Sequence, residues 1–535
     1  MSLDDALYEL SVHPDVLLDP AALRREACRA ARVREADVRD VVVVRRAIDA
    51  RRGKVRIHLR VALRFVGMRD RSAPITPVVL PSCSGEPEVA IVGAGPAGLF
   101  CAWALARLGI ATVVLERGKA VRGRRVDLAA LVRHGTLDPD SNYCFGEGGA
   151  GTFSDGKLYT RADKRGEIAA VTRALVGYGA PADIMVDARP HIGTNRLPKV
   201  IGTMRAHLES AGVTFAFESR VEGLVQVGGR VGGVQLRGGT TLDVRAVVLA
   251  PGHSARDMQR VCADAGVAMV FKPYAIGVRV EHPQAWLDRQ QYGALAGHAA
   301  LGSASYRVVE QACGLGVFSF CMCPGGFMAP AATDPGEQVV NGWSPSSRSG
   351  KFANSGFVVE IDDGRLAAAG LDPADPLAGV ALQRQFERRA YDAGGGDFVG
   401  PAQRIDDFVA GRPSSSLPEC SYPRGVVPVE LDAILGPLTE PLRAAMIQVG
   451  KKMRGFVGPD GIAVALESRT SCPVRMVRDD GGQSPSHPGL FPCGEGAGYA
   501  GGIMSAALDG VRTAVGIARA WGRDAGELGK VVGDG

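Results

Sequence analysis

The sequence predicts an α/β fold with a discontinuous Rossmann-type domain, an inserted mixed α+β domain and a small N-terminal α+β domain. Three observations predict this class. An apolar strand, a glycine-rich turn and a small-residue helix follow one another from Val89 to Leu108, which is the start of a β-α-β unit. A second strand, glycine-rich turn and helix run from Gly489 to Trp521. Between them lies a Gly-, Pro- and Ser-rich region with mixed strand and helix signals.

The predicted boundaries follow from these segments. The N-terminal domain covers 1–82, the Rossmann-type domain 83–270 and 466–535, and the inserted domain 271–465. In the N-terminal domain a helix is predicted at 21–32 and strands at 41–44 and 55–61, and the Pro- and Ser-containing stretch 73–87 is predicted to be a linker.

Four strand-like segments follow the first β-α-β unit, at 212–217, 221–227, 231–237 and 242–249. They resemble a β-meander that returns to the parallel sheet. Near the C-terminus, a strand at 489–493 precedes a helix at 503–521 with apolar residues at helical spacing. We therefore expect the first and last parts of the chain to meet in one sheet.

Composition narrows the class of protein. A chain of 535 residues has room for two or three domains. Its 46% hydrophobic content fits a globular protein, and its net charge of +5 is small for this length, so we expect neither nucleic acid nor a membrane as a partner. The N-terminal residues lack the regions of a signal peptide, and no segment reaches the roughly 18 apolar residues of a membrane span. We expect a cytoplasmic protein.

Eleven cysteines stand at irregular positions, without a Cys-x-x-Cys pair. This argues against a disulfide framework and against a structural zinc site. We expect mostly reduced, buried thiols and no metal.

The segment from Val89 to Gly98 carries the pattern of a dinucleotide site. Gly93 permits a tight turn, Gly95 lets a pyrophosphate approach the backbone, and Gly98 lets helix and strand pack closely. The helix beginning at Pro96 and Ala97 points its N-terminus at the phosphates. Eighteen residues after Gly98, at the end of a second strand, the carboxylate of Glu116 can accept hydrogen bonds from ribose hydroxyls and disfavours a 2′-phosphate. The sequence thus predicts an adenine dinucleotide.

The segment from Cys493 to Ser505 indicates which dinucleotide. It resembles the second FAD signature of glutathione-reductase-type flavoproteins. The resemblance implies that Glu495 binds the ribityl chain and that Gly501, Gly502 and Ile503 supply N–H groups near flavin N1 and O2. A helix N-terminus there stabilises the negative charge of reduced flavin.

Two further loops are candidates for binding the pyrophosphate and ribityl chain. One is the glycine-rich loop 142–158, with the candidates Gly148, Gly149, Gly151, Thr152, Ser154 and Asp155. The other is the basic loop 117–125, in which Arg117, Arg124 and Arg125 can give charge-assisted bonds. A solvated surface is the alternative for the basic loop. Gly252, in a turn after the strand 242–249, completes the predicted cofactor residues.

Over about 49–519 the chain resembles the bacterial family of FAD-dependent dehydrogenases, usually described as NAD(P)/FAD-dependent oxidoreductases. The resemblance rests on the segments 48–51, 145–157, 252–257, 319–326 and 494–502. It implies FAD and oxidoreductase activity and brings no known substrate. Cys472 departs from the serine that the family more often has, which either alters chemistry near the ring or has no effect.

The electron donor stays open. No second Gly-x-Gly-x-x-Gly follows a strand, and the redox-active Cys-x(4)-Cys of the disulfide reductases is missing. The flavin must then be reduced by transiently docking NAD(P)H, by an electron-carrier protein, or by the substrate.

Four residues are catalytic candidates. Cys321 and Cys323 invite a redox interpretation, but alternate residues of a straight strand lie about 6.6 Å apart, too far for a disulfide, so packing is favoured unless the segment turns. His253 is a general acid or base, or caps the following helix. Arg475 holds a substrate carboxylate or an electron-rich ring edge, or forms a structural ion pair.

The most favoured function is hydride or electron transfer between N5 of FAD and a small organic molecule bound by the inserted, substrate-binding domain. An FAD-dependent monooxygenase is the alternative enzyme. A flavoprotein that modifies RNA is poorly supported by the charge balance, and a flavin-binding redox sensor or scaffold is the non-catalytic alternative.

Overall fold

The computed structural model describes residues 7–51, 54–68, 74–159 and 166–532. The strands are β1 (Leu7–Val12), β2 (Val38–Asp49), β3 (Arg56–Phe65), β4 (Val89–Val92), β5 (Thr112–Leu115), β6 (Thr214–Ala216), β7 (Val221–Val227), β8 (Arg230–Leu236), β9 (Thr241–Asp243), β10 (Ala246–Leu249), β11 (Met269–Phe271), β12 (Tyr274–Pro283), β13 (Val309–Ala312), β14 (Leu315–Pro330), β15 (Val340–Trp343), β16 (Phe352–Ile361), β17 (Gly400–Arg404), β18 (Val426–Pro428), β19 (Ile462–Glu467), β20 (Val474–Met476) and β21 (Leu490–Pro492). The α-helices are α1 (Pro20–Ala31), α2 (Pro96–Arg107), α3 (Val121–His134), α4 (Ile168–Gly177), α5 (Leu197–Ser210), α6 (Arg256–Asp264), α7 (Gln284–Tyr292), α8 (Asp363–Ala368), α9 (Ala378–Ala393), α10 (Ile405–Ala410), α11 (Asp432–Leu435), α12 (Thr439–Lys452), α13 (Ile503–Ala520) and α14 (Glu527–Val531).

A five-stranded parallel sheet, in the order β21-β10-β4-β5-β6, forms the Rossmann-type domain. The pairing of β21 with β10 confirms that the first and last parts of the chain meet in one sheet. Helix α13 crosses α2 closely, because a Cβ on Gly510 would lie 2.1 Å from the carbonyl oxygen of Ala97. Every residue of β4, β5, β10 and β21 is buried, as expected for a parallel sheet that is covered on both faces.

The predicted β-meander is divided between two sheets. Strands β7, β8 and β9 form a separate antiparallel sheet, whereas β6 and β10 belong to the parallel one. The single strand predicted at 242–249 is wrong, since β9 ends at Asp243 and β10 begins at Ala246. The chain passes from the antiparallel sheet to the parallel sheet between these two residues. Apolar residues occur on both sides of this point, so the sequence does not show where one strand ends and the next begins.

The inserted domain is built on a large mixed sheet in the order β13-β14-β16-β12-β19-β17-β18, with β15 paired to β14. Its last strand in the chain, β19, runs to Glu467, two residues beyond the predicted end of this domain. Strand β14 is irregular: its register against β16 shifts between Phe320 and Cys323 and again between Cys323 and Gly326. Cys321 lies within the first irregularity and has a φ of +46°.

The N-terminal unit packs against the inserted domain. It consists of α1 and the antiparallel sheet β1-β3-β2. Its buried residues Ile57 and Leu59 belong to the same hydrophobic core as Val278 and Phe357 of the large sheet. Among the described residues, no helix is long and apolar enough to cross a membrane.

Candidate functional site

A cavity of about 330 Å³ lies beyond the carboxyl ends of β4, β5 and β10, where α/β folds bind their ligands. The turn between β4 and α2, the glycine-rich loop, the turn after β10 and the start of α13 line one part of its wall. Phe320, Cys321 and Asn341 of the inserted domain, with Arg469 and Thr470 just after β19, line another.

The turn between β4 and α2 has the geometry that its glycines predict. Gly93 has a φ of +104°, and a Cβ on it would lie 2.3 Å from the carbonyl oxygen of Ala250. A Cβ on Gly98 would lie 1.9 Å from the carbonyl oxygen of Gly93, so helix and strand do pack closely. Gly95 differs, because its added Cβ would meet only the Cα of Gly149, at 3.9 Å. Gly95 therefore faces open cavity.

Glu116 lines the cavity at the end of β5. Its carboxylate accepts hydrogen bonds from the backbone N–H groups of Ala94, Gly118 and Gly146, each at 2.9 Å. It thereby joins the β4–α2 turn to the glycine-rich loop. Its contact with a ribose stays a prediction.

The glycine-rich loop divides into residues that line the cavity and residues that shape the loop. Gly149, Gly151, Ser154 and Asp155 are among the lining residues. Gly148 and Thr152 are not. The N–H of Gly148 donates to the carbonyl oxygen of Ala94 at 2.8 Å, and the buried hydroxyl of Thr152 donates to that of Glu147 at 2.7 Å. Both stabilise the loop, and their contact with the cofactor stays a prediction.

The three arginines of the basic loop have different surroundings. Arg117 lines the cavity, stacks over the Phe145 ring at 4.2 Å and pairs with Asp140 at 2.6 Å. Arg124 is fully buried, and its guanidinium donates to four backbone carbonyls, those of Asn142, Tyr143, Gly146 and Glu147. Arg125 is exposed and outside the cavity lining.

The structure therefore brings neither Arg124 nor Arg125 to the cavity, and their phosphate contacts find no support in its lining. Adjacent residues of a helix point about 100° apart, so α3 directs Arg124 inward, under the loop 142–147, and Arg125 outward. Burial lowers the pKa of Arg124 to about 10, which still leaves it charged at neutral pH.

The C-terminal motif lies on the same cavity as the β4–α2 turn. Gly501, Gly502, Ile503 and Glu495 all line it. Helix α13 begins at Ile503 after Gly502, whose φ is +136°, without a side-chain cap, so its positive dipole end faces the cavity. Burial raises the pKa of Glu495 to about 7, opposed by the charge of Lys272.

These groups fit FAD. The side of Gly95 without a Cβ is open to the cavity, the N-terminus of α13 has no side-chain cap, and Glu495 is a half-buried carboxyl at the cavity wall. Each is a group for which a dinucleotide's phosphates, flavin ring or ribityl hydroxyls provide a partner. Gly252, with a φ of +81°, also lines the cavity.

His253 lines the cavity, and its Nδ1 lies 2.8 Å from the hydroxyl of Ser254. Burial, followed by the charges of Arg469 and Arg256, lowers its pKa to about 4. The ring is therefore neutral at pH 7. Its alternative role as a helix cap is wrong, because the N-cap of α6 is Ala255 and α6 has no side-chain cap.

Arg475 does not reach the cavity. It is an exposed residue of β20, with its guanidinium 5.6 Å from the centre of the Tyr499 ring. The structure thus does not support the predicted substrate contact of Arg475, since this residue is outside the cavity lining. Arg469 of the same segment does line the cavity, and it is buried and paired with Glu387 at 3.1 Å.

Cys321 and Cys323 lie at a turn of β14, and their sulfurs share one cationic neighbour. The Nζ of Lys157 lies 3.5 Å from the Sγ of Cys321 and 3.4 Å from the Sγ of Cys323. The favoured packing role assumes a straight strand, whereas β14 turns at Cys321, so the redox interpretation stays a prediction. Lys157, near the end of the glycine-rich loop, is not among the residues predicted for the site. Its place beside the two sulfurs depends on the turn in β14, which the sequence does not show.

Cys472 has a structural role. Its buried thiol donates to the carbonyl oxygen of Gly496 at 3.3 Å and contacts the side-chain amide of Gln259 at 3.2 Å. Burial raises its pKa to about 12. The departure from serine thus preserves a hydrogen-bond donor beneath the loop that carries Glu495.

Comparisons with known proteins assign the domains that build this cavity. Residues 86–138 match the family described as FAD binding domain, and residues 273–470 match the one described as FAD-dependent protein, C-terminal domain-like. Residues 6–64 match a domain of unknown function, DUF8436.

Solved structures resemble the chain only distantly. The THI4 structure from Thermovibrio ammonificans is 20% identical, and the match covers 34% of this chain and 64% of that one, with a TM-score of 0.25. CtdE in complex with FAD is 13% identical, with coverage of 81% and 84% and a TM-score of 0.32. Native FqzB is 16% identical, with coverage of 82% and 79% and a TM-score of 0.36. Such TM-scores say nothing about the reaction of this chain.

One relative matches over almost its whole length. A protein of Clostridium beijerinckii described as uncharacterized is 36% identical over 515 residues, which are 93% of this chain and 95% of that protein. With the two FAD domain families, this similarity shows that the chain belongs to the bacterial family of FAD-dependent oxidoreductases, and that FAD is its cofactor.

Proposed function

We propose that this chain is a dehydrogenase or reductase that transfers hydride or electrons between its FAD and a small organic molecule. One observation carries the proposal: groups suited to the flavin and side chains of the inserted domain line a single cavity. Glu495, Gly501 and Gly502 are on the flavin side, and Phe320 and Asn341 are on the other. A molecule that contacts the large sheet in this cavity lies beside the cofactor.

FAD, when bound, supplies the hydride-transfer chemistry. The residues of the chain bind, orient and tune it. The N-terminus of α13 stabilises negative charge at the cavity, by about 0.3–2 kcal/mol. The neutral ring of His253 is available to accept a proton from a substrate hydroxyl or amine, because its lowered pKa keeps it unprotonated at pH 7.

Asn341 and Arg279 fix the substrate side of the cavity. The fully buried Arg279 donates to Glu467 at 2.7 Å, to Asn354 at 2.8 Å and to the side-chain oxygen of Asn341 at 3.1 Å. Charge-assisted bonds of this kind hold side chains in one rotamer. The wall that meets the substrate is therefore preorganised rather than mobile.

The electron donor in this proposal is transiently docking NAD(P)H, an electron-carrier protein, or the substrate. The test is anaerobic mixing of purified holoprotein with NADH, NADPH and candidate substrates, followed by the flavin absorbance. Bleaching by one donor, and its reversal by an organic acceptor, is the expected result. Oxygen-dependent hydroxylation of a substrate would instead identify a monooxygenase, and no turnover with any donor would leave a sensor or scaffold.

A further inference from the structure

The turn in β14 creates a cluster of two thiols and one ammonium group. Cys321 has a positive φ, and the register of β14 against β16 shifts on both sides of Cys323. As a result both sulfurs contact the Nζ of Lys157, at 3.5 and 3.4 Å. The thiol of Cys323 donates to the carbonyl oxygen of Cys321 at 3.2 Å.

The two sulfurs differ in access. Cys321 lines the cavity together with Lys157, Glu495 and Gly501, whereas Cys323 is fully buried behind it. A dithiol in which one sulfur is accessible and the other is held behind it is suited to forming a disulfide, since the outer sulfur reacts and the inner one resolves.

The charges around the pair favour a thiolate on the outer sulfur. The neighbouring Cys323 and the positive charges of Lys157 and Arg279 lower the pKa of Cys321 well below its usual value, against the effects of burial and Asp155. Burial and the neighbouring Cys321 raise the pKa of Cys323. The other charged groups nearby are Arg348, which pairs with Asp155 at 2.8 Å, and Glu467, which pairs with Arg279 at 2.7 Å.

We propose that Cys321 and Cys323 form a redox-active dithiol that exchanges an electron pair with the bound FAD. This inference rests on the proposed function and adds that electrons pass between the flavin and its substrate through this dithiol. In the oxidising direction, the Cys321 thiolate and the Cys323 thiol form one S–S bond and lose one proton and two electrons. Oxidised FAD takes up both electrons and that proton, so charge and hydrogen balance. The reverse step opens the disulfide.

The substrate class that fits this chemistry is a small thiol or disulfide. Thiol–disulfide exchange at the accessible sulfur returns the pair to its starting state, and it needs a thiolate at the attacking position. Cys321, beside Lys157 and at the cavity, meets both conditions.

An anaerobic dithionite titration of the oxidised holoprotein tests the proposal without requiring turnover. The wild type is expected to take up about twice as much dithionite per FAD as Cys321→Ser or Cys323→Ser, because a disulfide and a flavin each accept one electron pair. Cys313→Ser, at an exposed cysteine, is the matched control and should titrate like the wild type. Equal uptake per FAD in the wild type and Cys321→Ser would overturn the proposal.

Mass spectrometry of the wild type covers the case in which a serine variant does not fold. After oxidation with diamide, a two-electron thiol oxidant, the peptide that contains both cysteines should resist alkylation and lack two hydrogens, and reduction with dithiothreitol should reverse this. Alkylation of both sulfurs after that treatment would contradict the dithiol.

The role of Lys157 has its own readout. The pH at which iodoacetamide alkylation of Cys321 reaches half of its maximal rate should be about one pH unit or more higher in Lys157→Met, because loss of the cation raises the thiol pKa. Lys157→Arg should restore that midpoint. If the dithiol fails these tests while an organic donor still reduces the flavin, the dithiol proposal is contradicted and the proposed function is not. If the dithiol passes the tests but no donor or acceptor gives turnover, the proposed function is contradicted and the dithiol proposal is not.

Discussion

Gly95 and Gly98 lie three residues apart, and the structure gives them different roles. A side chain at Gly95 meets open cavity, whereas one at Gly98 meets the carbonyl oxygen of Gly93 at 1.9 Å. We expect Gly95→Val to lose FAD and keep the fold of the apoprotein, and Gly98→Ala to destabilise the fold itself by about 1–3 kcal/mol. Flavin content and urea unfolding of the apoproteins measure the two effects. Full FAD occupancy in Gly95→Val would move the pyrophosphate elsewhere.

Arg124 and Arg125 are adjacent residues with different surroundings, so their variants separate effects on stability from effects on FAD affinity. Arg124→Met leaves the carbonyls of Asn142, Tyr143 and Glu147 without their buried donor. We expect it to lower the free energy of unfolding by about 3–5 kcal/mol. Arg125→Met, at an exposed position, should change it by no more than about 0.5 kcal/mol and leave FAD affinity unchanged. A large loss of FAD affinity in Arg125→Met would restore the phosphate role.

His253 should make stability depend on pH in the acid range. Its folded pKa of about 4 lies below its ordinary value of 6.5, so between these values the unfolded chain binds more protons than the folded one. Stability therefore falls as pH decreases from about 6.5 to 4, by at most about 1.4 kcal/mol per pH unit for this residue. His282, with a pKa of about 4, adds a similar slope. His253→Asn should reduce the slope in urea unfolding, and an unchanged slope would contradict the neutral buried ring.

At the scale of an element, the start of α13 links backbone geometry to redox chemistry. Gly502 has a φ of +136°, so any side chain there is strained, but Gly501 has an ordinary φ and nothing within 4 Å of an added Cβ. Gly501→Asp should make the flavin potential more negative than Gly501→Asn, because a negative charge opposes the helix dipole. Spectroelectrochemical potentials of the two FAD-loaded variants provide the measurement. Equal potentials would show that α13 does not face the ring.

The elements predicted from sequence are those whose cause is local. Gly93 and Gly98 are required by one tight turn, and the spacing from Gly98 to Glu116 is set by one helix, so both were visible in the sequence. The inward direction of Arg124 depends on the loop 142–147 that packs over it. The shared contact of Cys321 and Cys323 with Lys157 depends on the register of β14 against β16. Both features depend on tertiary packing, so they cannot be predicted from the periodicity of the sequence.

At the scale of the whole molecule, FAD should stabilise the join between the distant chain segments. The cavity is lined by residues from the segments 92–97 and 495–506, which meet through the pairing of β10 with β4 and β21. A ligand that binds only the folded protein stabilises it by about 2.7 kcal/mol at a hundredfold excess over its Kd. We therefore expect the melting temperature of the apoprotein to rise with FAD concentration.

FMN is the matched control, since it carries the flavin ring and ribityl chain without the adenosine half that the β4–α2 turn and Glu116 are expected to bind. It should raise the melting temperature less than FAD at equal concentration. Gly95→Val should remove most of the response to FAD, because its side chain occupies the open face where the pyrophosphate approaches. An FMN response as large as that of FAD in the wild type would mean that the turn does not hold the dinucleotide, and that the C-terminal motif alone accounts for flavin binding.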